Sequence, residues 1–396
     1  MNNKNPYHKS FYYSFFISFF FVFTFLFEGY EKYERYYYDA QPSSLARLTI
    51  VATCFLIFIL QIGRRHVLYT SISLLLISIW FCVGYAIGDE NSLDPLYVMM
   101  KYISGIVVLG GVLLSGNKRL IGNVFFYLFI INCIISWSAF MFDIEWIRTY
   151  AHIKSPDGSW HDERFGYNGL ILEQNVSTYF YIAGIYATYW QVRFNGKSNI
   201  YWIITLPSIM IVGTKSVFIA FALAPVLFLF RDSTTKSVIF FIFSFIATIL
   251  LVQSGVLNYD IANNIFSFRP HNFNERLVPL LSNYSIFDLF FGMQIANYEK
   301  YLTEFEIVDL ISFMGPILSA LYVWTFFFVV THNIKGIYLN ESAYNLIFTC
   351  FVTCLMSGHL FYDPISMIYL SVALCGAFCC GNNNSSRVEL CKIDKS

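Results

Sequence analysis

Two polar stretches, residues 143–175 and 258–309, hold the side chains best suited to chemistry in this sequence. Together they carry Arg148, Arg164, Arg269, Arg276, Lys154, Lys300, His152, His161 and His271. Arginine offers a planar fork that matches carboxylate and phosphate oxygens, which a lysine point charge does not. The first stretch adds Trp146, Tyr150, Trp160 and Tyr167, flat apolar faces on which sugar rings can stack. It ends in Arg164-Phe-Gly-Tyr-Asn-Gly-Leu-Ile-Leu-Glu-Gln-Asn175, where Asn175 or Ser177 can cap a following helix. In the second, Arg269-Pro-His-Asn-Phe-Asn-Glu-Arg276 precedes Leu277–Leu281, an apolar face suited to a bilayer surface. Ile286–Met293 follows as a small amphipathic unit with a glycine near its end.

Three further groups stand apart from these stretches. Lys215 lies in the polar knot Gly213-Thr-Lys-Ser216, where a helix start would direct free amides and an ammonium toward an anion. Glu306 and Asp309 are three apart and share a helix face. Gly358-His-Leu-Phe-Tyr-Asp-Pro364 places His359 between two apolar runs. Each has a plainer alternative: an interfacial lysine, acids complementing a helix dipole, and a structural histidine. Lys101, inside an apolar run, is either a lysine reaching to headgroups or a cation lining a cavity.

The elements that must position these groups are transmembrane helices. Hydrophobic residues make up 57% of 396 positions and charged residues 13%, against roughly 25% charged in soluble domains. Apolar runs recur at lengths that approach or cover the roughly 30 Å hydrocarbon core, where helices satisfy their own backbone groups. The expected fold is therefore all-α: one integral membrane domain over 1–396. About twelve spans are expected, at 11–27, 47–63, 67–88, 96–114, 124–142, 176–192, 200–213, 216–230, 238–257, 308–331, 343–358 and 362–380. The long loops between spans, 143–175 and 258–309, are expected to contain short amphipathic helices.

Lys and Arg placement sets the expected direction. With the N-terminus inside, the inner segments hold fourteen cations against four acids, Asp232, Glu341, Glu389 and Asp394. Both long loops, Lys215 and His359 then share the outer side. The first apolar run reads as a retained anchor, because Phe25-Leu-Phe-Glu28 continues where a small-residue cleavage site would stand. Tyr12-Tyr13 and Tyr36-Tyr37-Tyr38 suit interfacial belts. The nine cysteines fall in expected spans or the C-terminal tail, as core filling, with no zinc-like spacing. Zero formal net charge and no basic domain offer nucleic acid no foothold.

The ordered set Arg164-Phe-Gly with Glu-Gln-Asn175, Gly213-Thr-Lys-Ser216, Phe291-Gly292, Glu306, Asp309, Gly315 and Gly358-His359 resembles the O-antigen and capsular polysaccharide polymerase family (Wzy-type), related to the O-antigen ligases. It departs from the Arg-x10-Gly pattern of some members: Asn175 stands at that spacing from Arg164, and Phe287 from Arg276. Lys215 occupies a position where many members carry arginine. The resemblance implies a glycosyltransferase of the bacterial inner (cytoplasmic) membrane, with both termini cytoplasmic. Its substrates would be undecaprenyl-diphosphate-linked repeat units, and membrane lipids, a chain-length regulator and a flippase are candidate partners. A growing glycan would leave its lipid diphosphate and join a new repeat unit on the periplasmic face, without cofactor or metal. His359, Asp309 and Glu306 are the candidate catalytic residues, with His271 a further candidate base. Arg164, Lys215, Arg276, Arg269, His271 and Trp160 are the candidate substrate-binding groups. The alternatives are an O-antigen ligase and a lipid-linked oligosaccharide flippase or other transporter.

Overall fold

The computed structural model describes residues 6–38, 45–87, 92–149, 166–214, 216–218, 221, 269–281, 285–293, 303, 305–334 and 340–377. They form ten principal helices: α1 Pro6–Tyr38, α2 Leu45–Leu60, α3 Arg65–Ile87, α4 Asp94–Leu113, α5 Lys118–Met141, α6 Gln174–Arg193, α7 Ile200–Ile211, α8 Glu306–Ile334, α9 Asn340–Ser357 and α10 Pro364–Ala377. Among the described residues five helical stretches are long and apolar enough to cross a membrane: Phe11–Tyr38, Arg65–Ile87, Asp94–Leu113, Lys118–Met141 and Glu306–Asn333. α2, α7 and α10 are apolar but shorter. Most of the run expected over 216–230, and all of that over 238–257, lies outside the described residues.

α6 is the central helix, buried almost continuously from Val176 to Thr188. Its tyrosines and threonines find partners inside the bundle: Tyr181 meets Asn132 and Ser136 of α5, and Tyr186 meets Thr349 of α9. Elsewhere small residues let helices approach closely, as in other membrane bundles. A Cβ on Gly111 of α4 would stand 2.3 Å from the carbonyl oxygen of Cys54 in α2. Around this core α1 packs on α2 and α5, α2 on α4, and α3 on α8.

α1 corrects the boundary expected at residue 27, for the helix continues to Tyr38. Glu28, Glu31, Lys32 and Arg35 are buried, while Tyr30, Tyr33, Tyr37 and Tyr38 are exposed. The four charges recur at i, i+3, i+4 and i+7, so they form one stripe. Its polarity is inverted relative to a soluble helix, with charge inward and aromatic rings outward.

α8 is broken in its first half. Gly315, at φ 75° and followed by Pro316, takes a backbone conformation outside the helical region. A short helix, Ile286–Phe291, docks at the break. Ser285 and Asp288 close a reciprocal capping box at its start, and Gly292 (φ 76°) ends it. The Met293 amide donates to Ser312 O at 2.8 Å, and Trp80 Nε1 of α3 donates to Phe290 O at 3.0 Å. Gly292 must be glycine here, because a Cβ would lie 2.1 Å from Phe313 O.

Candidate functional site

The turn of residues 358–363, between α9 and α10, gathers groups from four other helices at one end of the bundle. Gly358 and His359 both have positive φ, 63° and 66°. A left-handed backbone is unstrained for glycine and uncommon for histidine. The turn is fixed on several sides. The Tyr179 hydroxyl of α6 donates to Gly358 O. The Glu306 carboxylate of α8 accepts the backbone amides of Leu360 (2.6 Å), Phe361 (2.6 Å) and Tyr362 (2.7 Å). Lys101 Nζ of α4 donates to the Tyr362 hydroxyl at 2.8 Å and lies 4.4 Å from that ring's centroid and 4.7 Å from Tyr97's. Within the turn, Asp363 Oδ1 accepts the Ile365 amide at 2.8 Å, capping α10.

His359 is partly exposed on this turn, its Nδ1 3.3 Å from Nδ2 of Asn175 in the first turn of α6. Beside them is an ion network. Arg47, near the start of α2, pairs through Nε with Glu28 of α1 at 3.2 Å and through Nη1 with Glu173, the residue before α6. The other Glu28 oxygen accepts the Leu172 amide at 3.3 Å. Asp363 lies within Coulombic reach of Glu173, Arg47 and His359. Among the described residues, Arg47 Nη2 has no hydrogen-bond partner.

One turn along α1, Lys32 is buried and donates to Ile147 O (2.9 Å), Gly169 O (2.7 Å) and Asn168 Oδ1. It thereby ties the beginning of the first long loop to its end. The same two chain ends meet as an antiparallel bridge between Arg148 and Tyr167, with Thr149 N donating to Gly166 O at 2.9 Å. Arg148 also pairs with Asp143 at 2.8 Å, and Asp143 accepts the Tyr167 hydroxyl. Those two donors hold the Asp143 carboxyl below its ordinary range, the tyrosine contributing more. Asp143, and after it the Tyr167 hydroxyl, raise Arg148 further above the usual guanidinium value.

The strip then lies on the polar knot after α7. Tyr167 N donates to Ile211 O at 2.8 Å, and Thr149 Oγ1 donates to Val212 O at 2.9 Å. Gly166 (φ 142°) leaves no room for a side chain: a Cβ would stand 2.5 Å from Val212 O and 2.6 Å from the Gly213 Cα. Arg164, Trp160 and Lys215 lie outside the described residues. Along the chain, Arg164 is two positions from Gly166 and Lys215 two from Gly213. Residues 166–175 thus run from this seam past Lys32 and Glu28 to His359.

The remaining sequence candidates fall in different places. Glu306 is buried, and its two oxygens serve the three amides of the 358–363 turn. Asp309 is buried on the same helix, where its Oδ1 accepts both the amide (2.8 Å) and hydroxyl (2.7 Å) of Thr303. Arg269 opens a short helical segment of residues 269–281. On that segment His271 and Arg276 are exposed and Leu277 is buried. Sequence reasoning assigned no role to Glu28, Lys32, Arg35, Arg47 or Glu173. The four-residue polar stripe in α1 was the available signal for the first three.

No family model, curated protein or solved structure matches this chain.

Proposed function

We propose that the chain is a polysaccharide polymerase: a polytopic glycosyltransferase of the bacterial cytoplasmic membrane, with about twelve spans and both termini cytoplasmic. It transfers a growing glycan from polyprenyl diphosphate to a new lipid-linked repeat unit on the outer face. The observation that carries this reading is the strip 166–175, which joins the Gly166–Gly213 seam, two chain positions from Arg164 and from Lys215, to the turn bearing His359. A diphosphate leaving group needs cations at one end of the reacting bond and a proton acceptor at the other. Arg164 and Lys215, with Arg276 and Arg269 from the second loop, are the proposed diphosphate cradle. Trp160 and His271 are proposed to contact sugar.

In the transfer, the bond between the anomeric carbon and the diphosphate oxygen breaks, and the electron pair leaves with the diphosphate. The acceptor hydroxyl oxygen bonds to the same carbon and loses its proton to a base. His359 is the candidate base that best fits this task, because Glu306 and Asp309 already accept hydrogen bonds from the backbone and Thr303. Charge-assisted hydrogen bonds to the departing oxygen act without a metal, each contributing roughly 1.5–3 kcal/mol.

A second reading, a carrier for lipid-linked oligosaccharide, draws support from the break in α8 at Gly315-Pro316. Carriers often bind substrate at interrupted helices. A deletion strain separates the two. Loss of a polymerase leaves lipid A core capped by a single repeat unit, whereas loss of a flippase or ligase leaves it uncapped. Purified protein with one synthetic lipid-diphosphate repeat unit should yield oligomers; no product longer than one unit would reject the polymerase.

A further inference from the structure

We propose that Glu306 is a positioning residue that sets the place and direction of the His359 side chain. Its carboxylate sits under the 358–363 turn and takes the three amides that directly follow His359, at 2.6, 2.6 and 2.7 Å. Short bonds from several amides are an arrangement that stabilises a buried carboxylate. The grip is directed at a strained place. His359 holds φ 66° without being glycine, and such a residue persists only where its surroundings over-determine it. Glu306 supplies that constraint on the C-terminal side of His359, and Tyr179 supplies it on the N-terminal side through Gly358 O.

The oxygens are shared unequally. Oε1 takes Phe361 and Tyr362, and Oε2 takes Leu360 alone. Glu306→Gln can therefore keep two bonds and must set an amide N–H2 against the Leu360 N–H. The broken bond is the one adjacent to His359. α8 enters the turn at its first residue, and the short helix 286–291 is docked at the break nine positions further on. Through Glu306 the turn is thus seated on the half-helix 306–314.

The geometric part stands without a reaction; the use of His359 in transfer rests on the polymerase reading. Two measurements address the geometry. In the wild-type protein, hydrogen exchange at Leu360, Phe361 and Tyr362 should be slower than at an exposed turn by about a hundredfold or more. Exchange at exposed-turn rates would overturn the clasp, whatever becomes of any variant. Glu306→Gln should lower the unfolding temperature, and the loss should be larger in a His359→Gly background, where releasing the clasp relieves no left-handed strain. An equal loss in both backgrounds would separate Glu306 from the strain at His359 and reject the proposal.

With the polymerisation assay, Glu306→Gln should lower kcat and leave the donor KM unchanged. Added to His359→Ala, it should cost no more than His359→Ala alone. Independent, multiplying losses would mean that Glu306 acts on something other than His359. If the wild-type protein proves inactive toward lipid-diphosphate repeat units, the polymerase reading fails while the exchange and unfolding results still decide the clasp.

Discussion

The backbone of Gly166 lies flat against that of Gly213, so close that a Cβ on Gly166 would stand 2.6 Å from the Gly213 Cα. One residue comes from the end of a long polar loop and the other from the knot after α7. Gly166→Ala drives a methyl group into the Val212–Gly213 backbone and imposes an L side chain at φ 142°. The conformational cost alone is about 1–3 kcal/mol. The seam should open, with glycan chain length falling more steeply than protein abundance. Full-length ladders from normally accumulated Gly166→Ala protein would remove the seam from the site.

Lys32 should be less replaceable than an ordinary helix lysine. Lys32→Met keeps the length but strands the acceptors Ile147 O, Gly169 O and Asn168 Oδ1. Each buried acceptor left unpaired costs about 1–3 kcal/mol. Sharply reduced accumulation and a lowered unfolding temperature in detergent are expected. Wild-type stability would show that the loop ends are held by other means.

His359→Ala should assemble normally and lower transfer by about 10²–10⁴-fold, the usual contribution of a general base. Asn175→Ala should give a smaller loss, because it removes a partner of the ring and leaves the ring itself. Product formation from a synthetic repeat unit measures both. Equal turnover by His359→Ala and wild type would exclude His359 as the base.

Asp143 gives a pH signature. Tyr167 and Arg148 lower its carboxyl pKa in the folded protein, so the folded state favours the charged form. The resulting stabilisation is present in full above the unfolded value of about 3.9 and fades as pH falls through the lower folded value. Unfolding temperatures of wild type and Asp143→Asn should therefore differ by a constant amount at neutral pH and converge in acid. The difference should be modest, because Asp143 is exposed. A gap that widened in acid would contradict the assignment.

Apolar run length made the helices legible. α4 at Asp94–Leu113 lies within two residues of its expected span, and Ile286–Phe291 forms a helix ended by glycine. What the sequence concealed was pairing across distance. Arg47 and Glu173, near helix starts, and Glu28, inside α1, are three isolated charges until three helices meet. Glu306 looked like an acid available for chemistry because its amide partners lie more than fifty residues away and carry no side-chain signature. α1 continues as helix past the apolar run that ends at residue 27, into a segment whose charges turn inward. Here the periodic spacing of those charges marks an inward face.

That inward face has a consequence for how the protein is made. Glu28 finds the Leu172 amide 144 residues later in the chain, and Lys32 waits almost as long for Asn168 and Gly169. At synthesis rates of about 5–20 residues per second, the interval is roughly 7–30 s. During that time Glu28 lacks its amide partner and Lys32 its acceptors, although Arg47 follows Glu28 after only 19 residues. The nascent helix therefore has reason to stay beside the insertion machinery, in an aqueous or chaperoned setting, until α6 arrives to receive it.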